Sequence, residues 1–272
     1  AMSVSERDAF TAPFHKHLFE VEYIDPPFPG QEAASLEQLR NLLKKDEYAG
    51  FIFEPLVQGV GGMKMYEPVA WEPLISLCRE KDVITVADEV MVGFGRTGKI
   101  FASDHLNVKP DILCLSKGLT GGTMAMGITT CPQFVYDAFY ASDKMKTLFH
   151  GHSFTANPVA CAASLASWEL LQQHSTLDNI DLICQKHHEF KERVKGHPNI
   201  KAIRQTGTIL AMELGANENT SYFSNISDQL KPFFMEKGLL IRPLGNVLYL
   251  MPPYCVNSDE LELLYEIGRA HV

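Results

Sequence analysis

Short apolar runs alternate with segments of helical period up to about residue 160. The apolar runs lie at residues 50–53, 83–87, 112–115 and 126–130. Runs of this length are typical of buried strands in a parallel sheet. Residues 71–81 repeat apolar side chains with a helical period, and Pro132 and Pro158 each begin a further predicted helix. The alternation predicts an α/β domain with a parallel or mixed sheet.

The pattern changes after about residue 175. A polar helix is predicted at residues 177–195 and a further helix at residues 228–237. A last helix begins at Asn257 or Ser258, both suitable N-caps. Strands are predicted at residues 200–204, 209–214 and 247–250. We therefore predict that residues 1–160 form part of a large α/β domain and that residues 161–272 form a small C-terminal α+β domain.

Composition narrows the class of protein only mildly. The chain has 272 residues, 46% of them hydrophobic and 21% charged, as in an ordinary globular protein. Its net charge of −9 argues against nucleic acid or an anionic membrane as the main partner. The six cysteines are scattered without a C-x-x-C pair, which favours a reducing compartment and argues against zinc. We expect a cytoplasmic protein without a metal site.

Two ionisable residues follow predicted strands and carry the candidate chemistry. Asp88 ends the run at 83–87, and Lys117 follows the run at 112–115. Because open α/β sheets place their chemistry at the carboxyl ends of strands, both side chains should face one crevice. A lysine with a carboxylate partner suits pyridoxal phosphate, whose pyridine nitrogen the acid would keep protonated. A buried ion pair, or two solvated strand ends, would give the same pattern.

A glycine-rich segment imitates a dinucleotide-binding motif. Gly93, Gly95 and Gly98 spell G-x-G-x-x-G, and Asp111 follows. However, five residues separate the motif from its strand, and Asp111 precedes the next strand instead of ending it. We therefore interpret the segment as a flexible loop whose glycines permit unusual backbone angles.

Five stretches together resemble one family, the class III (fold type I) pyridoxal phosphate-dependent aminotransferases. They are residues 54–66, 87–98, 111–124, 150–158 and 241–254. The phrases Lys117-Gly-Leu-Thr-Gly-Gly and Tyr249-Leu-Met-Pro-Pro-Tyr are similar to the branch that transaminates 8-amino-7-oxononanoate in biotin synthesis. The resemblance implies a fold type I α/β architecture, a homodimer with its active site at the interface, and S-adenosylmethionine or lysine as amino donor.

The resemblance also assigns cofactor-binding residues. Lys117 matches the catalytic lysine that forms the Schiff base with pyridoxal phosphate and moves protons. Asp88 matches the acid at the pyridine nitrogen. Val90 matches an aliphatic side chain on the ring face, although ordinary core packing explains a valine equally well. His152 and Ser153 match the pair that reaches the cofactor phosphate from the other subunit.

Substrate-binding residues follow in the same way. Gly151 matches a substrate-contacting glycine, and Arg242 matches the arginine that receives the carboxylate of the keto substrate. A solvated loop arginine would also explain Arg242. Glu54 stands at a strand end beside the same crevice, but the resemblance gives it no firm role.

Some features of the family are missing or changed. Met91 and Val92 stand where family members often have Ala-Thr or Gln-Thr. The family carries an N-terminal stretch with a Gly-Ser phosphate loop and a ring-stacking aromatic residue, so we expect this chain to be a fragment, about two-thirds of the enzyme. An aminotransferase acting on ornithine, acetylornithine or another ω-amine remains an alternative. So does a non-catalytic remnant.

Overall fold

The computed structural model describes residues 2–8, 11–45, 47–215 and 226–269. Its strands are β1 (Gly50–Phe53), β2 (Val57–Gln58), β3 (Lys64–Met65), β4 (Ile84–Asp88), β5 (Ile112–Leu115), β6 (Ile128–Thr130), β7 (Ile200–Thr206), β8 (Ile209–Leu214) and β9 (Val247–Leu250). Its α-helices are α1 (Glu32–Leu42), α2 (Glu72–Glu80), α3 (Gln133–Phe139), α4 (Pro158–Leu171), α5 (His174–Val194), α6 (Ile226–Glu236) and α7 (Ser258–Arg269). None of the helices in these ranges is long and apolar enough to cross a membrane.

The first sheet has the strand order β1-β4-β5-β6. Its first three strands are parallel, whereas β6 runs antiparallel to β5. The α/β prediction with a parallel or mixed sheet is thus confirmed, as a mixed sheet. The link between β5 and β6 contains the short 3-10 helix Lys117–Thr120 and no α-helix of the kind that usually forms a parallel crossover.

This sheet buries one face and leaves the other partly open. Phe53 and Ala87 point into a core with Leu74 and Ile75 of α2. Along β4, buried and half-buried positions alternate, and Ile52 on the second face is 38% exposed. Within the described residues, the first sheet is thus buried on one face and half-buried on the other. Asp88 lies on the more open face.

The second sheet is an antiparallel meander of β7, β8 and β9. One face of β8 packs Leu210 and Met212 against helices α5, α6 and α7. The other face packs Ile209 and Ala211 against Val57 of β2 and against Val92 in the loop that follows β4. The small sheet is thus held between its own helices and the loops of the first sheet.

The glycine-rich segment, residues 93–98, forms part of the contact between the two sheets. Gly95 and Gly98 adopt φ angles of +94° and +88°, as their residue type permits. The Arg96 guanidinium donates to Pro252 O at 2.6 Å and lies over the Tyr254 ring, and the Tyr254 hydroxyl donates to Phe94 O at 2.8 Å. These bonds hold the loop against the second sheet, and the positive φ angles are the unusual backbone angles expected of its glycines.

Helix ends agree with the predictions to within a few residues. Asn257 is the N-cap of α7, because its side chain accepts from the Glu260 amide while Glu260 accepts from the Asn257 amide. Helix α3 begins one residue after Pro132, and α5 begins at His174, before the predicted residue 177. The predicted domain boundary at residue 160 falls within α4. Leu171 at the end of this helix packs with Phe94 and Leu115 of the first part of the chain.

Gly207 should be irreplaceable at the contact between the two sheets. Its φ is +56°, and a Cβ atom there would lie 2.2 Å from the carbonyl carbon of Thr97. We expect Gly207→Ala to lower the free energy of unfolding by about 3 kcal/mol or more, by combining backbone strain with a backbone clash. Gly196→Ala is the matched control, because Gly196 has φ +82° but no atom within 4 Å of a new Cβ. Urea denaturation curves measure both variants, and equal losses would contradict the steric argument.

A buried histidine links α5, α7 and the turn between β7 and β8. His187 is fully buried, with Nδ1 2.6 Å from the Tyr265 hydroxyl and Nε2 3.2 Å from Thr208 O. Because a carbonyl only accepts, Nε2 carries the proton and Nδ1 accepts from Tyr265. Burial lowers the pKa of His187 from its ordinary 6.5 to about 4.

This shift predicts acid sensitivity. Above pH 6.5 His187 is neutral in both the folded and the unfolded chain, and stability is lost as the pH falls because the unfolded state gains the proton first. Between pH 6.5 and 4 the loss should approach about 3 kcal/mol. In His187→Gln this part of the pH dependence should vanish. An unchanged difference in unfolding free energy between pH 7 and pH 4 would contradict the assignment.

Candidate active site

Three neighbouring strand ends bring the candidate residues together. In the parallel register, Phe53 of β1 lies opposite Ala87 of β4, so the next residues, Glu54 and Asp88, stand side by side. Asp88 in turn lies opposite Cys114 of β5, three residues before Lys117. Register partners in a parallel sheet point to the same face. The two carboxyl groups therefore share the more open face, at the edge where Lys117 follows β5.

Lys117 stands on a strained turn. Its φ of +47° lies in the left-handed region, which typically costs about 1–3 kcal/mol for a residue other than glycine. Gly118 permits the turn to pack under the next loop, because a Cβ there would lie 2.9 Å from Phe94 Cβ. The lysine side chain is exposed, and within the described part of the chain its amine makes no hydrogen bond or salt bridge. An amine placed in this way is accessible to a reactive carbonyl group.

Asp88 is oriented by its own backbone. The Val90 amide donates to Asp88 Oδ1 at 3.0 Å, which leaves the second carboxyl oxygen for another partner. Val90 is half-buried, and none of the apolar clusters formed by the described residues includes it. Its neighbour Val92 does belong to a cluster. Val90 is therefore a better candidate for contact with a bound ring than for ordinary core packing.

The charges of Asp88 and Lys117 both act on the carboxyl group of Glu54. Its Oε2 accepts from the Gly59 amide at 2.9 Å. Burial is the main cause that raises the pKa of Glu54, and the charge of Asp88 adds to it. The Gly59 hydrogen bond and the Lys117 charge oppose this rise. Glu54, Asp88 and Lys117 therefore form one electrostatic unit.

Glu89 serves the fold beside the site. It is fully buried, and its carboxylate accepts from the amides of Ala102 and Ser103 at 2.6 and 2.8 Å. Burial raises the pKa of Glu89, while these two hydrogen bonds lower it. Alternation along the chain sends this side chain away from Asp88. Glu89 thus holds the far end of the glycine-rich loop, a role that sequence analysis missed.

The predicted phosphate-binding segment lies apart from these residues in the chain. Gly151, His152 and Ser153 are exposed. The His152 amide donates to Thr155 Oγ1 at 3.0 Å, and His152 Nδ1 accepts from the Phe154 amide at 3.1 Å. These hydrogen bonds are local, and the residues of the segment are exposed.

Arg242 is exposed just before a tight turn that leads into β9. The turn residues Leu244 and Val247 pack in the same cluster as Met91 and Val92. The structure therefore places the Arg242 segment against the loop that follows Asp88. Sequence analysis identified Arg242 only through resemblance, and nothing local in the sequence indicated this packing.

Comparison with known proteins assigns the class. The aminotransferase class-III family model matches residues 1–270, and the chain belongs to this family. Family members depend on pyridoxal phosphate. The fold type I architecture expected from the sequence is confirmed.

Individual relatives narrow the comparison. The chain is 41% identical to the adenosylmethionine-8-amino-7-oxononanoate aminotransferase of Synechococcus elongatus, over 97% of this chain and 64% of that protein. The crystal structure of the Methanocaldococcus jannaschii enzyme of the same name matches with a TM-score of 0.89 and 32% identity, covering 99% of this chain and 64% of that one. An ornithine aminotransferase from Toxoplasma gondii matches with a TM-score of 0.81 and 27% identity, covering 98% and 59%. The chain thus spans 59–64% of the length of these relatives, which is less than two thirds.

The side chains present fit pyridoxal phosphate. An accessible amine suits its aldehyde, and a carboxylate on the same sheet edge suits its pyridine nitrogen. Within the described ranges, no three His, Cys, Asp or Glu side chains are grouped as metal ligands would be.

Proposed function

We propose that this chain belongs to an enzyme that converts 8-amino-7-oxononanoate to 7,8-diaminononanoate in biotin synthesis, with S-adenosylmethionine as amino donor. The relatives named above support this reaction and donor. The observation that carries the proposal is the placement of Asp88 and Lys117 at neighbouring parallel strand ends, on the open face of the sheet. Lysine is the alternative donor.

The proposed roles divide between cofactor and protein. Bound pyridoxal phosphate supplies an electron sink that weakens the bond between Cα and hydrogen in the amino substrate. The Lys117 amine holds the cofactor and carries the proton between carbon atoms. Asp88 keeps the pyridine nitrogen protonated through its free carboxyl oxygen, and Val90 packs against the ring.

Substrate recognition is proposed for two further positions. Arg242 receives the substrate carboxylate through its planar guanidinium, which matches two carboxylate oxygens at once. Gly151 offers room for the substrate close to the cofactor. The local fold supports this role for Arg242, because its turn packs on the loop that follows Asp88.

A homodimer would complete the site. Residues 124–170 expose several large apolar side chains, among them Tyr140 (73%), Met145 (79%), Phe149 (76%) and Phe154 (74%). Such a concentration marks a surface that another protein covers. We propose that a second copy covers it, and that His152 and Ser153, which lie within it, reach the cofactor phosphate of that copy.

An enzyme acting on ornithine or another ω-amine is the second candidate, favoured by the structural match to ornithine aminotransferase. We also propose a reducing compartment such as the cytoplasm, because all six cysteines are free thiols.

Lys117 should carry the cofactor. After incubation with pyridoxal phosphate and borohydride, peptide mass mapping should find the pyridoxyl group on Lys117, since its amine is accessible at the site. Lys117→Ala should lose this label and transamination while keeping the circular dichroism spectrum of the parent protein. Exposed Lys81 provides the control, because Lys81→Ala should be labelled as strongly as the parent. Labelling of another lysine instead would overturn the assignment.

Arg242 should discriminate between the two candidate functions. In the full-length enzyme, Arg242→Ala should raise KM for 8-amino-7-oxononanoate by about one to two decades. This is the contribution expected of a charge-assisted bidentate contact. The amino-donor half-reaction should change much less. Single-turnover kinetics separate the two half-reactions. Absence of any effect on either would favour the ω-amine alternative.

The exposed apolar surface should be a dimer interface. Phe149→Glu should convert a dimeric protein to monomers in analytical ultracentrifugation, because a carboxylate is costly to bury in an apolar contact. Leu240→Glu is the matched control, since Leu240 is 85% exposed but lies outside residues 124–170. A parent protein that is monomeric at all concentrations, or a dimeric Phe149→Glu variant, would contradict the proposal.

A further inference from the structure

Glu54 and Asp88 form a pair of carboxyl groups on adjacent strands. The register that sets Phe53 opposite Ala87 makes them the next lateral neighbours, and both side chains point to the same face. Adjacent strands lie about 4.8 Å apart, so the two carboxyl groups are close enough to repel when both are ionised.

The surroundings of the two groups differ. Glu54 is faced by Asp88 from β4, by Lys117 from the turn after β5, by Tyr66 from the segment after β3, and by the Gly59 amide. Tyr66 is buried and stays neutral, because burial, together with the Glu54 charge, raises its pKa. Among the described groups that face Glu54, Lys117 is the one with a positive charge. Burial and the Asp88 charge both raise the pKa of Glu54.

Each carboxyl group accepts a hydrogen bond from one backbone amide, Asp88 from Val90 and Glu54 from Gly59. They differ in that burial penalises the charged form of Glu54, whereas Asp88 is the group proposed to face the ring nitrogen. When two carboxyl groups share a site, the first proton leaves the group that is better stabilised as an anion and the second proton is retained.

Resting on the function proposed above, we propose that Glu54 and Asp88 share one proton, with Glu54 holding it so that Asp88 keeps the charge that faces the pyridine nitrogen. Glu54 is then a positioning residue: it touches neither substrate nor ring, and acts through Asp88. A pair with one negative charge matches the single positive charge of a protonated ring. This gives a role to a residue that the sequence left without one.

The pair can be tested without cofactor, by ¹³C NMR of the chain labelled at the glutamate side-chain carboxyl carbon. The Glu54 resonance, identified by its loss in Glu54→Gln, should titrate at higher pH than the resonances of exposed glutamates. Asp88→Asn should lower its midpoint by about one pH unit, because a like charge is removed. Lys117→Ala should raise the midpoint, and it decides the question if Asp88→Asn fails to fold.

Glu89 is the internal control. It is also buried with a raised pKa, but Asp88 is not among the causes of its shift, so its midpoint should stay unchanged in Asp88→Asn. A Glu54 resonance that titrates with the exposed glutamates, or that does not move in either variant, would overturn the proposal. Failure of borohydride labelling at Lys117 with the pair titration intact would instead reject the function and leave the carboxyl pair standing.

Discussion

The in-register parallel pairing of β1, β4 and β5 is the constraint on which the site depends. Each of these strands ends in a residue of the site or is followed by a residue or turn that belongs to it. A shift of one residue would send Asp88 into the apolar core now occupied by Ala87. The core side chains of α2 therefore set the register and, through it, the chemistry of the opposite face.

Packing of the second sheet against the first fixes the position of the Arg242 turn relative to Asp88. The contact of the second sheet with the glycine-rich loop uses hydrogen bonds to carbonyl groups and a glycine too close to the Thr97 backbone to accept any side chain. Backbone contacts of this kind tolerate almost no displacement. The Arg242 turn is thereby fixed relative to the loop that leaves Asp88.

The sequence predicted those features that depend on the local pattern of apolar and ionisable residues. Apolar runs located the strands, and their ionisable ends located Asp88 and Lys117, because strand ends and chemistry coincide in α/β sheets. Such patterns do not give strand direction. They allowed a mixed sheet but did not show that β6 is its antiparallel strand. The bond from Tyr254 to Phe94 joins residues 160 positions apart and leaves no local trace. The sequence placed Glu54 at a strand end, but it took the strand register to show that Glu54 is a neighbour of Asp88.

The contact of Gly118 with Phe94 has a mechanical consequence. Phe94 also accepts the Tyr254 hydroxyl bond, so a line of direct contacts runs from the small sheet to the residue beside Lys117. A rigid-body rotation of the small sheet would drag the lysine with it. The position of the turn that carries Lys117 is therefore coupled to the docking of the small sheet, and a change in one is transmitted to the other.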